Sequence, residues 1–177
     1  MTSEIQLAGF GGQGILFAGK VLAYCGMLDG REVSWLPSYG PEMRGGTCNC
    51  SVTLSDEPIG SPTVYNPDIL IVMNEPSFVK YINEVKPGGC AFVNSTLVDS
   101  VSDRKDIDIY NIPATAMAEE NGLTGGANIV MIGMLIKKTG IISMDGIEST
   151  IRKMVPPKKA QLIENNMKAI RMGYDFE

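Results

Sequence analysis

A chain of 177 residues with 44% apolar residues has the material for one compact domain with a full hydrophobic core, here taken as residues 1–177. The net charge of −5 comes without a long run of either sign. That argues against nucleic acid as a main partner, since phosphate neutralisation needs clustered Lys and Arg. No apolar run reaches the roughly 18 residues of a membrane span, so no membrane partner is expected. Met1-Thr2-Ser3-Glu4 does not lead from a basic region into an apolar core, so no signal peptide is expected and the cytoplasm is the expected location.

In chain order, Glu4 to Ala8 reads as a first strand with Ile5 and Leu7 apolar. A glycine-rich turn follows, and then Gly14 to Leu28, where only Lys20 is charged. A helix apolar on so many sides is covered by a sheet or a partner, and Asp29-Gly30 is a plausible stop. Glu32 to Leu36 reads as a second strand. Thr47 to Leu54, small and β-branched, reads as a third, closed by a turn at Ser55–Pro58. Asp68 to Met73 is a short continuous apolar run, as in a central strand covered on both faces.

Pro76 suits the start of a helix capped by Asn74 or Glu75, with Phe78, Ile82 and Val85 at helical spacing. Cys90 to Val93 and Ile107 to Ile112 are further strands. Thr115–Asn121, Asn128–Thr139, Ser143–Met154 and Pro157–Met172 read as helices, the last with Ile163, Met167 and Ile170 on one face. Strands alternating with helices define a three-layer α/β/α domain around a mostly parallel, Rossmann-like sheet. The stretch from Val33 to Leu54 has no crossover helix, which leaves room for one antiparallel strand in a mixed sheet.

Two loops carry the chemistry. Gly9-Phe10-Gly11-Gly12-Gln13-Gly14 has the Gly-x-Gly-x-x-Gly spacing of a phosphate-cradling turn. Gly11, Gly12 and Gly14 permit close backbone approach, and Gln13 adds an amide that donates and accepts. A dinucleotide site also needs a carboxylate about 20 residues on, at the end of the second strand. Here that strand runs through Trp35-Leu36-Pro37 and ends without one. The alternative for the turn alone is a tight strand–helix connection that binds nothing.

The second loop, Ser38-Tyr39-Gly40-Pro41-Glu42-Met43-Arg44-Gly45-Gly46, should lie beside the glycine turn, because loops at the carboxyl ends of neighbouring strands converge on one edge. Arg44 suits a bidentate phosphate or carboxylate contact. Its alternative is a solvated pair with Glu42, and that of Tyr39 is packing at a subunit contact. The chain has no histidine, which removes the usual Ser-His-Asp and Cys-His systems. Cys25, Cys48, Cys50 and Cys90 form no Cys-x-x-Cys pair, so buried reduced thiols are expected rather than a metal or cluster site. Cys48 and Cys50, two apart in a strand, share a face.

The ordered pair of loops, together with Pro67-Asp68-Ile69-Leu70-Ile71 and Asn128-Ile129-Val130-Met131-Ile132-Gly133, resembles the gamma subunit of 2-oxoacid:ferredoxin oxidoreductases over nearly the whole chain. The Ser38–Glu42 form is closer to the 2-oxoglutarate and branched-chain (ketoisovalerate) types than to the pyruvate type. The resemblance implies a hetero-oligomer that oxidatively decarboxylates a 2-oxoacid to an acyl-CoA. In it, alpha and beta subunits, and in some complexes a delta subunit, hold thiamine diphosphate and iron–sulfur clusters, and electrons leave to ferredoxin.

The gamma chain would then carry no redox centre, metal or catalytic residue. It would help form the coenzyme A side of the site through Gly11, Gly12, Gln13, Gly14, Ser38, Tyr39, Gly40 and Arg44. Cys48-Asn49-Cys50 departs from many relatives. Two other readings compete: a stand-alone nucleotide-binding module, and a subunit whose loops only shape an interface.

Overall fold

The computed structural model describes residues 1–39 and 47–177, Tyr39 through its backbone alone. The glycine-flanked loop from Gly40 to Gly46, with Glu42 and Arg44, lies outside the described residues. The strands are β1 (Thr2–Phe10), β2 (Glu32–Tyr39), β3 (Thr47–Ser55), β4 (Ile69–Val72), β5 (Cys90–Asn94) and β6 (Asp108–Ile112). The helices are α1 (Ile15–Leu28), α2 (Glu75–Tyr81), α3 (Ala114–Glu120), α4 (Ala127–Thr139), α5 (Met144–Met154) and α6 (Ala160–Asp175). One sheet has the order β2-β3-β1-β4-β5-β6. β1, β4, β5 and β6 run parallel, and β3 is antiparallel to both β1 and β2.

The expected mixed α/β sheet is therefore present, and β3 is its one reversed strand among the described residues. Its place has a consequence for ligand chemistry. β3, not β2, sits next to β1, so the neighbouring strand presents its start, Thr47, at the edge where a dinucleotide fold would present the end of its second strand.

Alternation along the central strands explains the layers. Ile69 and Ile71 join a large core with α1, α3, α4, α5 and α6, whereas Leu70 and Val72 join a smaller one with Phe78 and Ile82. Successive strand residues face opposite sides of a sheet, so this four-residue strand is apolar throughout because both faces are covered. The two outer layers are unequal. Of the described α-helices, only α2 contributes to the smaller cluster, joined by Ile82 in the 3-10 turn after it, while α4 is itself covered and buries every residue from Asn128 to Ile136.

Helix ends follow the sequence signals. Asn74 caps α2 by accepting from Ser77 N at 3.0 Å, with Pro76 in the first turn. Ser143 caps α5 by accepting from Gly146 N at 3.0 Å. α1 stops at Leu28, and Gly30 follows at φ 76°.

α4 and α6 cross at a pair of glycines. A Cβ on Gly133 would strike Ile170 O, and one on Gly173 would strike Val130 O. Backbone lies against backbone on both sides, so neither contact can yield by turning a side chain. Gly173→Ala should lower the stability of the folded chain by about 1–3 kcal/mol, the usual cost of overpacking. Urea unfolding followed by circular dichroism reads this directly. An unchanged midpoint would mean that the helices separate without cost.

Candidate functional site

The order of the strands fixes where a cleft must form. From β1 the chain passes through α1 towards β2 on one side, and β4 lies on the other. The sheet changes winding direction between the carboxyl ends of β1 and β4, which is where open α/β sheets bind ligands. The glycine turn leaves β1 at this point. Gly12 and Gly14 both have positive φ, 97° and 73°, so the turn depends on residues without a Cβ. Gly11 and Gly14 are half-buried and Gly12 is exposed. The first N–H groups of α1 have no carbonyl partner within the helix and face this edge.

Gln13 is committed inside the protein. Its Oε1 accepts from Phe10 N at 2.7 Å and from Asn74 Nδ2 at 3.4 Å, and its Nε2 donates to Met73 O at 3.0 Å. The side chain spans from the end of β1 to the end of β4 and fixes the turn against α2. The amide expected to meet a ligand thus serves to position the site.

A second constraint comes from the far end of the chain. Asn128, in the first turn of α4 and 5% exposed, donates from Nδ2 to Gly14 O at 3.0 Å. Its Oδ1 has no hydrogen-bond partner among the described residues. A Cβ on Gly14 would strike this amide, so Gly14 is glycine both for its backbone angle and for the contact.

The turn borders a cleft of about 240 Å³, with Gln13 and Met73 on one side and Thr115, Glu119 and Gly125 on the other. The strand ends explain the second wall. Asn94, fully buried at the end of β5, donates to Thr115 Oγ1 at 2.8 Å and accepts from Thr115 N at 3.3 Å. Met73, Asn74, Thr115, Glu119, Gly125 and Asn128 were not singled out as site residues from the sequence. The switch-point rule applied to β4, and the i,i+4 spacing of Thr115 and Glu119, are the signals that point to them.

Ser38 and Tyr39 end β2 on the same edge. Ser38 pairs with Asn49 and Tyr39 with Cys48, which in turn pair with Ala8 and Gly9. They therefore stand two strand spacings from β1, about 10 Å, with β3 between. The expectation that this segment begins directly beside the glycine turn is corrected to that extent. Ser38 is exposed. Gly40 and Arg44 lie outside the described residues.

The cysteines do not join this site. Cys48 and Cys50 share one face, as expected, and both are buried. Burial pushes the Cys50 thiol up from 9.0 to about 12, and its Sγ donates to Ile15 O at 3.6 Å. Burial likewise pushes Cys25 and Cys90 up to about 11, and raises Cys48. Cys25 donates to Thr150 Oγ1 at 3.2 Å. No group of three or more potential metal-ligating side chains occurs among the described residues, and no described helix is long and apolar enough to cross a membrane.

These features define a Rossmann-like domain with a glycine-turn cleft at its switch point. The family described as pyruvate ferredoxin/flavodoxin oxidoreductase matches residues 4–176, and the chain belongs to it. The 2-oxoglutarate synthase subunit KorC of Methanocaldococcus jannaschii is 41% identical over 99% of this chain and 94% of its own length. The ketoisovalerate oxidoreductase subunit VorA of Methanothermobacter marburgensis is 36% identical over 98% of this chain, which spans 36% of that longer protein.

Among solved structures, the keto/oxoacid ferredoxin oxidoreductase gamma subunit of Geobacter sulfurreducens superposes with a TM-score of 0.83 at 30% identity, covering 98% of this chain and 96% of that one. A 2-oxoglutarate:ferredoxin oxidoreductase of Magnetococcus marinus, solved with 2-oxoglutarate, coenzyme A and succinyl-CoA bound, contains the same fold. Its TM-score is 0.87 at 23% identity, over 97% of this chain and 30% of that one. The resemblance to oxidoreductase gamma subunits and the α/β fold read from the sequence are borne out.

Two measurements test the site as described. The thiolate is the reactive form, and burial raises all four thiols above the ordinary value, so they are mainly protonated at pH 8. Native protein at pH 8 should therefore react with a thiol reagent far more slowly than unfolded protein at all four cysteines. Fast labelling of Cys48 or Cys50 would reopen a redox role. Because the folded values lie above the unfolded ones, stability conferred by neutral buried thiols is full below about pH 9 and declines as pH rises towards 12. Separately, NAD and NADP should show no micromolar binding by calorimetry, since β3 displaces the strand whose end would hold the ribose.

Proposed function

We propose that this chain is the gamma subunit of a multi-subunit 2-oxoacid:ferredoxin oxidoreductase of the 2-oxoglutarate or ketoisovalerate type. It forms part of the coenzyme A side of the active site and supports assembly, as a single domain with no catalytic residue of its own. The observation that carries this reading is the cleft at the switch point, built between the glycine turn and the starts of α3 and α4. Alpha and beta subunits, with or without a delta subunit, supply the thiamine diphosphate and iron–sulfur clusters, and ferredoxin takes the electrons through the complex. The bound coenzyme A in the Magnetococcus enzyme, and the match to KorC over nearly its full length, support the assignment.

In this reading the chain's residues bind and orient. The open backbone at Gly11, Gly12 and Gly14 accepts the close approach of a ligand, and Gln13 holds the turn in place. Ser38 and Tyr39, at the end of β2, extend the binding edge across β3, and Gly40 and Arg44 complete the set of residues assigned to coenzyme A. Coenzyme A supplies the thiol that accepts the acyl group. No residue here is asked to move a proton, in keeping with a chain that has no histidine and thiols raised by burial.

Exposed apolar side chains support the assembly role. Phe17, Tyr24, Met27 and Leu28 lie along the outer side of α1, and Trp35 packs against Gly19 while remaining 36% exposed. Large apolar groups gathered at one place on a surface mark partner contacts.

The test is reconstitution with the partner subunits, followed by ferredoxin reduction with 2-oxoglutarate or 2-oxoisovalerate. Losing a charged hydrogen bond costs about 1.5–3 kcal/mol. Arg44→Ala should therefore lower turnover per assembled complex at limiting coenzyme A roughly 10- to 150-fold, mainly through the KM for coenzyme A. Normal coenzyme A kinetics in an assembled mutant would make Arg44 an interface residue instead.

A further inference from the structure

A groove of about 670 Å³ runs between α5 and α6 and shares no residue with the cleft at the switch point. Its floor is apolar, formed by the half-buried Ile163 and Met172 and the buried Met167. Its rim is charged. On α5, Arg152 already pairs with Glu148 at 2.7 Å. On α6, Glu164 and Arg171 are exposed and make no ion pair among the described residues. Lys168 follows Glu164 at the spacing that best supports a pair within a helix, yet it donates instead to Asn121 O at 3.2 Å. One carboxylate and one guanidinium on the same helix are thus left for a partner from outside.

Their order makes α6 its own complement. Glu164 and Arg171 are two helical turns apart and lie on one side. Every α6 residue that lines the groove has a counterpart at the same distance from the midpoint between Met167 and Lys168. A second copy turned end for end about that midpoint places its Arg171 opposite Glu164 and its Glu164 opposite Arg171. Ile163 then meets Met172, and Met167 meets the aliphatic stem of Lys168. Such a two-fold contact is self-complementary, each pair occurring twice. Sliding it by one turn sets Glu164 against Asp175 and Lys168 against Arg171, and opposes like charges in both pairs. The charges therefore favour the first register over the second. The helix is also fixed in place, because Gly133 and Gly173 hold it against α4 backbone to backbone, so it presents this stripe without reorganising.

We propose that this chain self-associates through antiparallel, two-fold pairing of α6 in the α5–α6 groove, held by reciprocal Glu164–Arg171 ion pairs over Ile163, Met167 and Met172. The pairing is independent of the coenzyme A reading. The helix has 16 residues and so is about 24 Å long. A contact of that length is small among protein interfaces, so the dimer is weak and reversible, with a Kd on the order of 10–100 μM.

The experiment is sedimentation equilibrium of the full chain at low salt, at concentrations spanning that range. A monomer–dimer equilibrium is expected, weakened by added salt. Glu164→Arg and Arg171→Glu, both at exposed positions, should each weaken it about tenfold or more, the scale of one lost charged hydrogen bond. Circular dichroism confirms that each variant is folded.

An equimolar mixture of the two variants should associate again, since each then meets opposite charges on the other. The double variant Glu164→Arg/Arg171→Glu should recover for the same reason. A chain that stays monomeric throughout overturns the proposal. So does a dimer that ignores both single variants, which must use another surface, and so does a mixture that fails to recover. None of these outcomes touches the coenzyme A reading, because the groove is no part of that site.

Discussion

The arrangement at the switch point depends on one side chain that reaches across it. The amide of Gln13 satisfies Phe10 N, Met73 O and Asn74 Nδ2, and so joins the ends of two parallel strands just beyond their last backbone bond, from Met73 N to Ala8 O at 2.9 Å. Those groups lie where β1 and β4 run out of ladder partners, and polar groups left unpaired at a partly buried position are costly. Gln13 relieves that cost from within the glycine turn itself. Asn74 is drawn in twice, because its Oδ1 also caps α2. The turn, the sheet end and α2 are therefore one hydrogen-bonded unit. The Asn128–Gly14 bond ties α4 to it from the other side.

Much of this domain was legible in local sequence. The cap at Asn74, the stop after Leu28 and the doubly covered β4 all depend on near neighbours, and the residues spell them out. The strand–loop–strand stretch without a crossover helix likewise pointed to one antiparallel strand, and β3 is that strand. What was not legible is non-local. Whether β2 or β3 pairs with β1 depends on which strand buries Val52 and Leu54 under α1, which is a tertiary choice. The roles of Thr115, Glu119 and Asn128 likewise arise only when segments some hundred residues apart meet. Gln13 illustrates the difference: its amide was visible in the motif, but its partners at Met73 and Asn74 were not.

The unequal layers of the sheet bear on how labour is divided with partner subunits. The large core, with α4 enclosed by α6 through glycine contacts, makes the cleft's second wall rigid, because α4 begins at that wall and cannot shift without separating backbones. The β2 side is built differently. β2 is an edge strand containing Pro37, which lacks a donor and is tolerated where no further strand pairs. Proline there also discourages indiscriminate strand addition, so a partner must recognise side chains rather than extend the sheet.

That distinction places the two halves of the binding edge under different control. The glycine turn and the α3–α4 wall are held by bonds internal to this chain, from Gln13, Asn94 and Asn128. Ser38 is exposed near the end of β2, the strand that also carries the partly exposed Trp35. In the proposed complex the internally held half would be present before assembly, and assembly would complete the half at the end of β2. An isolated gamma chain would possess the first and lack the second, which gives a physical reason for such a chain to work only as a subunit.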